Sequence, residues 1–283
     1  MDLEPEGVVP ADTDEVVGDD PVILEIEELL TRGDLERALS AIDEARERRV
    51  GKAIDLTFLR GDACLGLGRA VEAERAFREV LAQDPDCPSS RCWLAMSLFL
   101  QWRFDEAMQA VQLAREVSGA LPDADVILGC LCEHRGDLEQ ADSLFAKAAA
   151  ALPDKYPVVV RLDRQRFDRE VRRAVRQLPR QFRQALDRVP VVVQDLPDRE
   201  LVEGGDVELT PDILGLFVGL SLLETGEHDG PPPLNKIYLF QRNLERMSND
   251  EQDLVEQIRV TLWHELAHYL GFEEDEMGGL GLD

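Results

Sequence analysis

Apolar positions between residues 21 and 157 return every 34 to 35 residues, too long a period for one element and the right one for a repeated pair of helices. Gly33-Asp34-Leu35, followed by Ala38, Ile42 and Ala45, has the spacing of Gly68, Ala73, Phe77, Val80 and Pro85. The same spacing recurs in Trp102-Arg103-Phe104, Ala107, Val111 and Ala114, and again in Gly136-Asp137-Leu138, Ala141, Phe145, Ala148 and Pro153. Four units of two antiparallel helices follow, each with a turn at the Gly (Trp in the third). Gly61, Ala95 and Gly129 share one place in the first helix of units two to four, where a larger side chain would push the paired helices apart. The pattern predicts an α-solenoid.

After Pro157 the period stops. Arginine occupies positions 161, 164, 166, 169, 172, 173, 176, 180, 183 and 188. Phe167, Val171, Ala174 and Leu178 form an apolar helical face, Leu178-Pro179 breaks it, and Phe182, Ala185 and Leu186 begin a second. This basic helix pair is either a solvated surface or a docking face for the acidic repeats. Val189 to Val193 reads as a short strand. An irregular segment holds Gly204-Gly205, the apolar stretch from Ile213 to Leu223 and a Gly- and Pro-rich loop from Gly226 to Pro233. Lys236 to Phe240 is a second strand and Leu254 to Leu270 an apolar-periodic helix. The chain is therefore α-rich and α+β overall, with expected domains at 21–157 and 161–283.

Composition narrows the function. The net charge of −27 opposes a phosphate backbone, so nucleic acid is not an expected partner. Residues 1–20 are acidic, carry Pro5 and Pro10 and hold too little apolar surface to order themselves, which predicts a flexible tail. No basic leader or membrane-length apolar run is present, and the expected location is cytoplasmic. Cys64, Cys87, Cys92, Cys130 and Cys132 are odd in number and read as reduced thiols. Cys64 and Cys132 are expected to face the repeat core, while helical spacing points Cys130 and Cys132 apart and argues against a shared metal.

The chemistry lies in the last helix. His264 and His268 stand four residues apart, so both imidazoles leave one face and can reach a single zinc ion at about 2.0–2.1 Å. Glu265 is placed to act on a metal-bound water as a general base without being a ligand. The uncharged flanks Thr261-Leu262-Trp263 and Tyr269-Leu270 make this a buried helix, where unpaired polar groups are costly. A catalytic zinc needs a third protein ligand. Gly271 can end the helix in a left-handed turn and fold residues 273 to 276 under the metal. Glu274 stands where H-E-x-x-H-x-x-G-x-x-H proteases place their third ligand; Glu273, Asp275 and Glu276 are the alternatives. His228 is either a solvated loop residue or an added site group, and Met277 and Tyr269 are expected to pack.

Two resemblances rest on these residues. The 34-residue period with its Gly-Asp turns and closing prolines resembles the tetratricopeptide repeat. Phe167, Val171, Ala174, Leu178-Pro179, Val191-Val192-Val193, Leu196-Pro197, Leu214 to Gly219, Ile237 to Phe240 and His264 to Gly271 together resemble the minimal zincins, over about residues 160 to 283. That family usually carries an acidic residue, often Asp, at the position of Glu274. The resemblance implies a small α+β zincin-like domain, one Zn²⁺ held by His264, His268 and Glu274, and peptide-bond hydrolysis with Glu265 as base. A strand at 236–240 would align an extended peptide beside the metal. Repeats of this kind imply a protein or peptide partner or substrate. The competing expectation is an interaction scaffold whose zinc is structural or vestigial.

Overall fold

The computed structural model describes residues 20–119, 121–186, 189–202, 209–222 and 234–272. The expected acidic tail, except Asp20, lies outside them. The chain divides into two compact units, Met1–Pro85 and Asp86–Asp283.

The first unit holds two helix pairs, α1 (Pro21–Thr31) with α2 (Leu35–Arg48), and α3 (Ala53–Gly66) with α4 (Ala70–Gln83). Pro21 suits the first helical position, and Asp20 caps α1 by accepting the Val22 N–H at 3.0 Å. Ile26, Ala38, Ile42, Ala45, Leu56 and Leu59 form its core. Gly61 fills its expected role, since a Cβ there would lie 2.7 Å from the Phe77 ring.

The second unit begins with α5 (Pro88–Leu100), α6 (Phe104–Ser118), α7 (Pro122–His134) and α8 (Leu138–Ala151). Gly129 on α7 meets Phe145 on α8 as Gly61 meets Phe77, with a notional Cβ 2.5 Å from the ring. The turns between paired helices are left-handed: Gly33, Gly68 and Gly136 have φ of +76°, +71° and +80°. The third such turn is made by Trp102 at φ +60°, although a left-handed residue with a Cβ costs about 1–2 kcal/mol. Cys64 is buried and Cys132 half-buried; burial raises both thiols above their ordinary range, and all five cysteines are free.

After these helices come α9 (Arg164–Gln177), α10 (Arg180–Leu186), β1 (Val191–Gln194), α11 (Arg199–Val202), β2 (Gly215–Val218), β3 (Lys236–Phe240), α12 (Gln241–Met247) and α13 (Glu251–Leu270). The described strands form one sheet in the order β1-β3-β2. β1 runs parallel to β3 with Val191 opposite Ile237, and β2 antiparallel with Phe217 opposite Ile237. Phe167, Val171, Ala174, Ile237, Leu239, Leu254, Ile258, Leu262 and Leu266 close one core between the sheet, α9 and α13.

Two expectations are corrected here. The segment expected to be irregular contains β2, and a helix follows β3 with no intervening turn. Because β1 and β2 pair with both edges of β3, the strand at 236–240 cannot align a peptide by backbone pairing.

Ionic groups fasten α7 and α8 to the sheet-bearing part. Glu133, whose side chain is 0% exposed, accepts from Arg161 Nη2 at 2.7 Å, Arg242 Nη1 at 3.3 Å and Arg246 Nη1. Arg161 also holds Asp142 and the buried Glu245. Docking to the repeats is thus made by Arg161, which opens the basic segment ahead of its helix pair, together with Arg242 and Arg246. On that pair Arg164 bonds Asp195 and Arg166 bonds Glu251, while Arg169, Arg172 and Arg176 are exposed.

His134 ends α7 in an aromatic box, with ring centroids 4.7 Å from Phe104, 5.5 Å from Phe99 and 5.9 Å from Trp102. Burial first, then the Arg246 charge, lowers its pKa from 6.5 to about 4, against an opposing hydrogen bond to the Pro211 backbone. The unfolded chain therefore takes up this proton first, and stability falls as pH drops from 6.5 towards 4. At about 1.4 kcal/mol per pH unit, roughly 2 kcal/mol should be lost by pH 5. Urea midpoints at pH 7.5 and 5 should show a smaller pH dependence in His134→Phe than in the wild type, by about that amount.

Candidate metal centre

Helix α13 is built to present its polar face at one end. Asp250 caps it by accepting the Asp253 N–H at 2.8 Å, and Gly271, at φ +94°, ends it in the expected left-handed turn. Leu254, Ile258, Leu262 and Leu266, each four residues from the next, face the core. Tyr269 packs on Phe217, with ring centroids 5.6 Å apart. His264 and His268 are half-buried on a neighbouring face, their rings 4.8 Å apart and nearly perpendicular at 78°.

The Nε2 atoms of His264 and His268 are 3.2 Å apart. Two ligands at about 2.0–2.1 Å from a tetrahedral zinc are separated by roughly 3.3 Å, so the pair has the spacing of one edge of such a site. The same spacing suits a single proton shared between the rings, which lets metal and proton compete for one pair of nitrogens.

Glu265 points to the sheet. It is 7% exposed, and its Oε2 accepts the Phe217 N–H at 2.6 Å. Phe240 N–H donates to Leu214 O at 2.9 Å, and in an antiparallel ladder successive residues face opposite sides. Leu214 and Leu216 therefore bond towards β3, while Gly215 and Phe217 turn their backbone groups to the outer edge of β2. The Glu265 carboxylate is held at that edge.

Gly215 makes this approach possible. A Cβ there would lie 2.6 Å from Thr261 Cγ2, 2.9 Å from Glu265 Cγ and 3.0 Å from Glu265 Oε1. Thr261 is β-branched and stiff, so Glu265 has to give way. Gly215→Val should cost about 1–3 kcal/mol and weaken the bond that holds Glu265, but leave the His264–His268 pair intact. Zinc titration beside a denaturation curve checks this, since lost metal affinity with unchanged folding would be the opposite result.

Glu274, Glu273, Asp275, Glu276, Met277 and His228 all lie outside the described residues. Among the described residues no group of three or more His, Cys, Asp or Glu side chains converges as a metal site, nor is any helix long and apolar enough to cross a membrane. Sequence reasoning passed over the Phe217 N–H and Gly215 as site elements. The signal open to it was a glycine between apolar residues in a segment read as irregular.

Residues 186–282 match the family model of the zincin-like metallopeptidases, and residues 23–76 and 65–125 match a tetratricopeptide repeat model. No curated protein matches the chain. Among solved structures, a thermophilic tetratricopeptide protein of Thermus thermophilus is 16% identical, covering 46% of this chain and 72% of its own, with a TM-score of 0.41. MamA from Desulfovibrio magneticus RS-1 is 18% identical over 46% and 73%, with a TM-score of 0.40. YrrB, a tetratricopeptide protein with an unusual peptide-binding site, is 24% identical over 47% and 68%, with a TM-score of 0.37. By its family matches the chain carries tetratricopeptide repeats over residues 23–125 and a zincin-like metallopeptidase domain over residues 186–282.

Proposed function

We propose that the chain is a zinc-dependent peptidase, with residues 161–283 as its catalytic domain and the repeats of residues 21–157 as the recruiting surface for a protein substrate or partner. The observation that carries this reading is the His264–His268 Nε2 separation of 3.2 Å with Glu265 between them in sequence and anchored at the edge of β2. His264 and His268 would hold one Zn²⁺ per chain, and Glu274 is proposed as the third ligand. The chemistry a zinc ion would supply there is a water of lowered pKa and polarisation of a carbonyl.

The protein's own residues supply the rest. Phe217 N–H fixes Glu265 Oε2, which orients the carboxylate. The carboxylate takes the proton of the attacking water and returns it to the leaving amine as the C–N bond breaks. The outward-facing backbone of β2 suits an extended peptide paired antiparallel or parallel to it, the role expected of residues 236–240 and moved here to the edge strand. Five cysteines, an odd count, suit a reducing compartment, and we place the protein in the cytoplasm.

The test is cleavage of a denatured protein and a mixed peptide library by the full chain, before and after removal of metal with a chelator. Hydrolysis that disappears with the metal and returns with added zinc is expected. Zinc binding without cleavage of any peptide would favour the scaffold reading, in which the metal is structural.

A further inference from the structure

The segment that feeds β2 is held from the repeats. Trp102 Nε1 donates to Leu209 O at 2.8 Å, and the His134 side chain hydrogen-bonds the backbone of buried Pro211. His134 Nε2 is buried with no hydrogen-bond partner. From the other side Asn243 Nδ2, on α12, donates to Pro211 O at 3.0 Å and to Ile213 O at 2.7 Å. Two residues further on β2 begins, and its Phe217 N–H holds Glu265.

Trp102 adds an independent observation. In the other three units its turn position is glycine, and all four positions have positive φ. A tryptophan there strains the backbone; its ring packs in the aromatic box with Phe104 and His134, but its N–H points out of the repeats. Strain of this kind persists where the side chain has another task, and the indole's task is visible in its bond to Leu209.

We propose that repeat units three and four are a positioning device for the proposed active site: Trp102 and His134 grip residues 209–211, setting β2 and through it the Glu265 carboxylate. The inference rests on the peptidase reading for its purpose but not for its geometry. A protein bound on α5 to α7 would act on the same grip, so occupancy of the repeats and alignment of Glu265 are coupled.

Amide hydrogen exchange on the full-length protein, without added metal or substrate, tests this in Trp102→Gly and Trp102→Phe. Glycine restores the turn residue of the other units, and phenylalanine keeps an aromatic ring while removing the N–H donor. Loss of the hydrogen bond should speed exchange over residues 209–218 by about tenfold in both, with α5 to α8 unchanged in Trp102→Phe and changed less than 209–218 in Trp102→Gly, which also removes a ring from the aromatic box. Unchanged exchange over 209–218 would overturn the proposal. So would an equal rise across α5 to α8, because Trp102 would then be packing the repeats alone. If the wild type cleaves peptides, both variants should lose kcat at unchanged KM and zinc content. If it cleaves none, the peptidase reading fails while the exchange result stands.

Discussion

Replacing Glu265 by glutamine should lower peptide hydrolysis by about 10³-fold while zinc stays bound, within the range of roughly 10²–10⁴ that a positioned general base contributes. Glutamine keeps an oxygen that can accept the Phe217 N–H, which Glu265 now holds at 2.6 Å, so the side chain stays at the β2 edge. What it loses is the capacity to take a proton from water. Steady-state kinetics should therefore show the loss in kcat, with metal content equal to the wild type. A variant that retains activity would remove Glu265 from the mechanism, and one that loses metal would make it a ligand.

Glu133→Ala should be the most destabilising single change outside the proposed active site. The carboxylate is fully buried and faces Arg161, Arg242 and Arg246. Breaking a buried ionic cluster by removing one sign of charge costs about 3–5 kcal/mol, because the remaining charges lose their compensation. A chain with only about 5–15 kcal/mol of total stability should lose on the order of 10 °C in Tm. The comparison is Glu44→Ala, which breaks a pair with Arg48 whose side chains are 67% and 65% exposed and should cost under about 1 kcal/mol. A thermal melt that treats the two variants alike would refute the assignment of Glu133 as the fastening residue between α7 and α12.

The repeats were legible because their constraints are local. A glycine at which a Cβ would lie 2.5–2.7 Å from a phenylalanine ring and a left-handed turn both impose a residue type, and each recurs at a fixed period. The two histidines were legible for a similar reason, since i and i+4 on one helix share a face. β2 was not, because a four-residue strand, Gly-Leu-Phe-Val, shows no alternation and is half-buried throughout. Its Phe217 N–H, a backbone group present at every non-proline residue, leaves no trace in a sequence.

α12 was hidden for a different reason. It starts at Gln241, directly after Phe240, and it buries Gln241, Asn243 and Glu245, polar residues that a periodicity argument places in solvent. Their partners, Arg161, Leu162, Pro211 and Ile213, are about 30 or 80 residues away in sequence. Trp102 was legible as a departure from glycine in the third unit, but its meaning lay in Leu209, over a hundred residues further on.

The most direct test of a zinc site between His264 and His268 is elemental analysis of the full-length protein and of His268→Ala, each incubated with zinc and freed of excess. The account predicts about one zinc per chain in the wild type and essentially none in the variant, with Glu265→Gln still loaded. No zinc in the wild type, or the same amount in His268→Ala, would contradict it and leave the two imidazoles sharing a proton across 3.2 Å.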